Sequence, residues 1–440
     1  MRTLRTLISP LVTALAILAG PGAAAAQSIP TPTCAWQFEW GPTGLSNWLI
    51  PDAGSHWRYM PIDPQWQKVM INGSYPYARF FSLALYEGLP TATALGDHLY
   101  DAQIAPDPGS INPFASPDAS GRATGRPRNY TMHIVRTGAK SGGNNLQLPA
   151  NGGWLVYRLY LPNAAIGTTG GVPLPGMSVT DANGQTRTLP PCPVSNRQSE
   201  LAVLQPIIIP PVLENPTPQP PVPDHVLFAP IPQPPARLFQ NPDNKYLISY
   251  FMSDYDPDRI LVVHGKMPGF PDTFNAGAPI NKPAPGFDTV QMRYWSMCFA
   301  SFVSPIPVEG CAVDARTPTD ENGFYTVVIS NDALRPDWLP SQIAWIPWGD
   351  EDMVPKAIIQ RNTLASPDFA QTAQTAVNQG CGVAFNFPTF PTQEAIAQAG
   401  QCTEKIMGFY YPTALWCDRE DFKYGGWAKC VTRAKHDKKW

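Results

Sequence analysis

Two arginines at matching places are the residues of this chain best suited to hold an anion. Arg79 opens the run Arg79-Phe80-Phe81-Ser82-Leu83, and Arg293 opens Arg293-Tyr294-Trp295-Ser296-Met297. A guanidinium at the end of an apolar strand face clamps a carboxylate or phosphate through two parallel N–H bonds, and one from each run would line a shared cleft. The competing reading is a buried structural ion pair inherited by both copies, because arginine is seldom buried unless paired. His264, in His264-Gly265-Lys266, stands where the first run is preceded by Asn72-Gly73-Ser74. It is a candidate general base, with Lys266 as a further ligand-binding cation, or else part of an exposed turn.

The carboxylates offer less. Asp107 lies in the turn-rich loop Asp107-Pro108-Gly109-Ser110, which satisfies its own backbone geometry but is also the kind of loop that carries binding on a rigid scaffold. Asp107 and Asp314 are the acids a hydrolase would draw on. Ser253-Asp254-Tyr255-Asp256-Pro257-Asp258 has the alternating acids of a calcium loop, but Pro257 and the lack of the later glycine and glutamate favour a solvated turn. Asp350-Glu351-Asp352 reads as a loop too, since adjacent side chains on a strand point oppositely. Trp338, Trp345 and Trp348, set among prolines and glycines, could stack on sugar rings or fill a core. There is no G-x-S-x-G elbow, no cysteine beside a histidine base and no C-x-x-C, so covalent hydrolase chemistry and a zinc site have no support. No cofactor is called for.

The elements that must position these residues are repeated. Ile71-Asn72-Gly73 matches Val263-His264-Gly265, Tyr130 to Ile134 matches Tyr325 to Ile329, and Trp154 to Arg158 has a weaker counterpart in Trp345 to Arg361. Period-two alternation makes each a strand, with Arg79, Phe81, Leu83 and Leu85 on one face and Arg293, Trp295, Met297 and Phe299 on its equivalent. Glu321-Asn322-Gly323 is a hairpin signal. Between Pro206 and Pro235 lie 12 prolines in 30 residues, a polyproline-like surface connector rather than a central strand. Charged residues are only 15% of the chain, against 52 prolines and 34 glycines, which favours an all-β architecture with long connections.

The expected organisation is therefore an export signal over 1–26, a first β-sandwich over 27–205, a proline-rich linker over 206–236, and a second β-sandwich over 237–364. A short α-helical, aromatic and disulfide-tied segment follows over 365–440. Both sandwiches are read as jelly-roll-like. Within the last segment, Ser366 with Pro367 should start a helix that Gly380 stops, and a second should run from Thr392 to about Met407. Phe409 to Cys430 reads as a strap packed across the domains.

Arg2 and Arg5, the apolar stretch Leu11 to Ala19 and Ala24-Ala25-Ala26 form a secretory signal. The apolar stretch is too short for a membrane span, which needs about 20 residues. Its removal leaves 29 basic residues against 34 acidic, a formal net charge of −5; with no basic face, nucleic acid is not an expected partner. Eight cysteines in an exported chain imply disulfides, although eight allow 105 pairings. The preferred set is Cys298 with Cys311 across a strand and its return, Cys417 with Cys430 tying the tail, and Cys381 with Cys402 linking two helices. Cys34 with Cys192 then closes the first domain. Secretion or release into a periplasm follows; oligomeric state is not legible.

Several segments resemble a group of exported bacterial proteins of unknown function with paired β-domains. They are Pro106 to Ser110 with Asn112-Pro113-Phe114, Tyr157 to Pro162 with Gly170 to Pro175, Gly265-Lys266 with Pro268, Arg293 to Cys298, and Tyr325 to Ser330 with Arg335-Pro336. The resemblance implies a two-part exported β-protein and carries over no catalytic residue. The leading expectation is a binding protein with a small organic or carbohydrate-like ligand in a cleft between the domains, lined by Arg79, Arg293, His264, Lys266, Trp345 and Trp348. A hydrolase of glycan or polymer, using His264, Asp107 or Asp314, and a structural envelope component are the alternatives.

Overall fold

The computed structural model describes residues 31–43, 46–47, 50–87, 94–115, 125–136, 143–193, 225–232, 239–251, 256–273, 280–302, 306–353, 355–384 and 391–436. The expected export signal, residues 206–224 and 233–236 of the expected proline-rich connector, and Ser253 to Tyr255 of the acidic run lie outside them.

The chain is mostly β. Its described strands form four five-stranded sheets. The first has the order β1 (Phe38–Trp40), β2 (Ser55–Ile62), β8 (Gly153–Pro162), β4 (Ala78–Glu87), β5 (Ala94–Tyr100), and the second β10 (Thr186–Leu189), β9 (Gly176–Thr180), β3 (Lys68–Ser74), β6 (Asn129–Val135), β7 (Asn145–Gln147). These two share one core that includes Phe81, Leu83 and Leu85 from β4 and Tyr130, Met132 and Ile134 from β6. The third sheet runs β11 (His225–Val226), β20 (Thr413–Asp418), β14 (Arg259–Lys266), β17 (Phe324–Ser330), β18 (Ala344–Pro347). The fourth runs β12 (Ala229–Ile231), β13 (Asn244–Phe251), β19 (Lys356–Ala365), β15 (Met292–Ser301), β16 (Val308–Val313). They share a second core through Trp295, Met297, Phe299, Tyr325, Val327 and Ile329.

The two sheet pairs correspond strand for strand, down to the parallel pairing of β6 with β7 and of β17 with β18. Register corresponds too: Ser82 sits opposite Arg158, and Ser296 opposite Arg361. Gly73 lies opposite Tyr130 and Gly265 opposite Tyr325, and a Cβ on either glycine would come within 2.4 Å or 2.7 Å of the tyrosine ring or hydroxyl. The glycines are where the rings lie down across the strand.

Burial explains the sequence pattern. β6 alternates buried and accessible residues because only one face meets the core. β8 and β15 are buried along their whole length, because the outer face of each parent sheet is covered as well. On the first sheet the cover is the second half of the chain: Trp40, Tyr59, Tyr86 and Trp154 pack with Phe239, Tyr294 and Val313. On the fourth sheet it includes Ile50 from the first half and Ile396 and Ala399 of a helix. Each half thus extends an arm over the other. Ile50 and Phe239, the anchors of the two arms, both hold positive φ, 52° and 49°, a conformation that tertiary contacts must enforce on such residues.

Several expectations need correction. Residues 225–232, assigned to the proline-rich linker, form the edge strands β11 and β12; Pro230 is tolerated because β12 pairs only with β13 and a proline can sit on an edge. The C-terminal segment is not merely a strap, since β20 lies inside the third sheet between β11 and β14. Trp345 does not match Trp154: it sits on β18, whereas the counterpart of β8 is β19, so only Arg158 and Arg361 correspond. The first helix, α1 (Ala373–Asn378), begins at the cap Thr372, whose side chain accepts the Thr375 N–H. Ser366 is instead held in a turn, its N–H bonded to Gln291. Helix α2 (Gln393–Met407) follows its predicted cap Thr392. Helix α3 (Arg419–His436), kinked at Gly426, covers the outer face of the third sheet.

The four disulfides are Cys34–Cys192, Cys298–Cys311, Cys381–Cys402 and Cys417–Cys430. Among the described residues no helix is long and apolar enough to cross a membrane.

Candidate functional site

The arginine pair reaches across the molecule. Arg79 Nη1 meets Asp314 Oδ2 at 2.8 Å, and Arg293 Nη2 meets Asp101 Oδ1 at 2.6 Å. Each carboxylate follows an edge strand, opens a single 3-10 turn and is fully enclosed. Asp101 also accepts the N–H of Phe81 (3.1 Å) and of Ala102 (2.6 Å), and Asp314 those of Trp295 (3.0 Å) and Ala315 (2.6 Å). The carbonyl of Arg79 accepts from Arg293 Nε at 3.2 Å. Phe270 lies under one guanidinium and Phe114 under the other. Burial pushes the Asp101 and Asp314 carboxyls up and the Arg79 guanidinium down, and the charge contacts oppose that. Arg79 and Arg293 are 0% and 5% exposed, and each guanidinium is ion-paired within the protein. They bind carboxylates, but those of the opposite half; the ligand clamp expected from sequence is filled from within, and Asp314 is the structural partner of Arg79 rather than a free acid.

Sequence reasoning missed Asp101. The signal was present: Asp101-Ala102 and Asp314-Ala315 recur at nearly the same distance behind Arg79 and Arg293.

His264 lies far along a different sheet. Its ring is stacked between Phe324 (5.2 Å) and Trp427 of α3 (4.9 Å), and Nδ1 is 3.0 Å from Thr326 Oγ1. In the first half the equivalent Asn72 accepts from Thr131 Oγ1, so the position is a cross-strand polar pair in both halves. Lys266 projects over Phe324, 6.0 Å from its centroid. Burial lowers the His264 pKa below 6.5, so the unfolded chain takes up a proton there before the folded one does. By linkage this group's contribution to stability is lost as pH falls below about 6.5. His264→Gln should therefore lose less unfolding free energy than wild type between neutral pH and about pH 5, measured by urea titration. Parallel pH profiles for the two proteins would refute this.

The remaining candidates are dispersed. Trp348 is buried in the second core against Phe299 and Trp416. Asp107 accepts from Thr131 Oγ1 and closes its own turn with Ser110. Asp350 accepts the Asp352 N–H, and its carbonyl receives Lys356 Nζ, a self-satisfied turn. None of these meets His264 or the arginine pair.

Trp345 stands apart. It lines a groove of about 270 Å³ with Arg316, Thr317, Arg335, Ser341 and Ile343, floored by Cys311 to Val313 and touched by Ala53 of the first-half arm. The indole is held by its N–H to Ser330 Oγ at 2.9 Å. Arg335 Nη2 donates to the carbonyls of Pro340 and Ile343, which fixes the wall. Arg316 is exposed, on the turn that Asp314 opens. Among the described lining residues there is no carboxylate and no histidine. Neither Arg316 nor Arg335 is legible as a binding residue in the sequence, because isolated arginines in a loop carry no pattern.

No family model and no curated protein matches this chain. Among solved structures, an uncharacterized protein from Burkholderia cenocepacia aligns at 13% identity with a TM-score of 0.48, covering 76% of this chain and 80% of that one. A protein from Vibrio parahaemolyticus aligns at 10% identity with a TM-score of 0.36, covering 72% and 85%.

Proposed function

We propose that the chain is an exported, non-catalytic binding protein that holds a small organic or carbohydrate-like ligand bearing negative charge in the groove of Arg316, Arg335 and Trp345. In this reading two jelly-roll-like β-sandwich domains arose by duplication and are joined by the proline-rich linker. The second also takes in strands β11, β12 and β20. The matched sheet orders support the duplication, and four disulfides among eight cysteines support an oxidising compartment outside the cytoplasm.

The observation that carries the function is the groove's lining: an anchored indole beside two guanidinium groups, with no acid or base to work on a bond. Indole faces suit sugar rings, and guanidinium suits carboxylate. A hydrolase would need a paired acid and base within about 10 Å, and the described lining offers neither. Short uronic-acid oligosaccharides and their neutral counterparts, titrated calorimetrically, test the reading. The acidic series should bind and the neutral one should not, and Arg316→Glu should weaken binding by at least about tenfold, roughly 1.4 kcal/mol. Equal binding of both series, or none to either, would remove it.

A further inference from the structure

At the contact between the halves, the second half presents a row of donors to a carboxylate. Ser296 Oγ donates to Asp52 Oδ2 at 2.5 Å, Tyr294 OH to Oδ1 at 2.7 Å, and Arg361 Nη1 stands 3.7 Å from Oδ2. Asp52 belongs to the first-half arm, and Arg361 Nη2 also donates to the carbonyl of Ile50 two residues before it.

The first half repeats the donors but not the acceptor. Ser82 and Arg158 occupy the places of Ser296 and Arg361, and Arg158 Nη2 donates to the carbonyl of Phe239 as Arg361 does to Ile50. Two residues on, where Asp52 would be, stands Asn241. The backbone confirms the equivalence: Asp52 Oδ1 accepts the Gly54 N–H at 2.7 Å and Asn241 Oδ1 accepts the Asp243 N–H at 3.0 Å. Asn241 carries no charge, and its amide donates to Tyr160 OH at 3.0 Å.

Arg158 is thus a fully buried cation that makes no ion pair among the described residues. Among the described residues its Nε and Nη1, the Ser82 hydroxyl and the Trp57 indole N–H have no hydrogen-bond partner. These side chains are direct cross-strand neighbours, Trp57 opposite Arg158 and Arg158 opposite Ser82. The Phe239 carbonyl, the Tyr86 hydroxyl and the Trp57 and Tyr86 rings meet the guanidinium, but among the described residues no carboxylate balances its charge, and a buried charge without a counter-charge is costly. Charge neutrality and the orphan donors call for the same thing, a small negative acceptor.

We propose that a small monovalent anion of halide size binds between Arg158 and Ser82, supplying the charge that Asp52 supplies in the symmetry-related position. The anion joins the two halves at this point, because it neutralises an arginine that also fixes the Phe239 arm. Binding is intrinsic to the folded contact and independent of the groove of Arg316 and Trp345.

Refolding the protein in sodium bromide and collecting anomalous diffraction at the bromine edge tests the site directly. A bromide peak is expected within hydrogen-bond reach of Arg158 and Ser82. Thermal unfolding of wild type should shift upward with bromide or chloride relative to gluconate at the same ionic strength, by mass action on the folded state. Asn241→Asp, which is nearly isosteric, should abolish that halide-specific shift and the anomalous peak together. Ser82→Ala should weaken the halide dependence by about tenfold while leaving the peak position unchanged. An absent peak, or a halide dependence equal in wild type and Asn241→Asp, overturns the assignment.

Discussion

Asp314→Ala is expected to lower the unfolding free energy by about 3–5 kcal/mol, the usual consequence of stranding one partner of a buried ion pair. Three contacts end at that carboxylate: the Arg79 guanidinium and the N–H groups of Trp295 and Ala315. Removing it leaves a cation with 0% exposure in a place water does not reach. Asp101→Ala should cost about the same, because Arg293, Phe81 and Ala102 depend on it in the same way. The cost belongs to the broken pair rather than to the charge as such. The double variant Arg79→Met with Asp314→Leu should recover most of it, since a well-packed apolar replacement of both partners is often neutral or better. Urea unfolding of the single and double variants decides the matter. A single variant that loses less than about 1 kcal/mol, the range of an exposed pair, would show that the pair is not buried as described.

Phe239→Ala should be comparably severe, at about 3–5 kcal/mol, for a different reason. The ring sits among Trp40, Tyr59, Tyr86 and Trp154 of the first sheet, at centroid distances of 5.8, 5.9, 5.3 and 6.0 Å. It is the second half's plug in a surface the first half cannot bury alone. Deletion opens a cavity and releases a backbone held at positive φ. The loss should therefore fall on the contact between halves, which is separable from the loss within one core. Limited proteolysis provides the readout: Phe239→Ala should become cleavable near the arm while each sheet pair stays protected. A variant that unfolds in one step, with no early cleavage at the arm, would show that the halves do not part there.

Both experiments bear on how much of this architecture was legible beforehand. The repeated arginine strand and the matched Asn72-Gly73 and His264-Gly265 segments point to one strand plan used twice, and the strand orders of the described sheets correspond in the two halves. The preferred cysteine pairing, one of 105 that eight cysteines allow, is the one the structure has. What failed did so for physical reasons. The proline-rich stretch reads as a surface connector because a missing N–H matters inside a sheet; it matters little at an edge, where β12 with Pro230 lies, and edge position is a property of the assembled sheet. Phe409 to Cys430 reads as covering rather than built in, because nothing local distinguishes a strand inserted between two distant neighbours, as β20 is, from one lying on top of them.

The arginines mark the same boundary more sharply. Sequence alone determined that Arg79 and Arg293 are equivalent, that each ends an apolar strand, and that each needs an anion. Only the tertiary structure decided which anion, because Asp101 and Asp314 reach them from the opposite half of the chain. The same holds for Arg158 and Arg361: their strands specify the donors, but the arms that cross between halves bring aspartate to one and asparagine to the other. Pattern along a strand is a local property of side-chain alternation, whereas charge balance in a buried contact is set by residues far apart in the chain and adjacent only after folding.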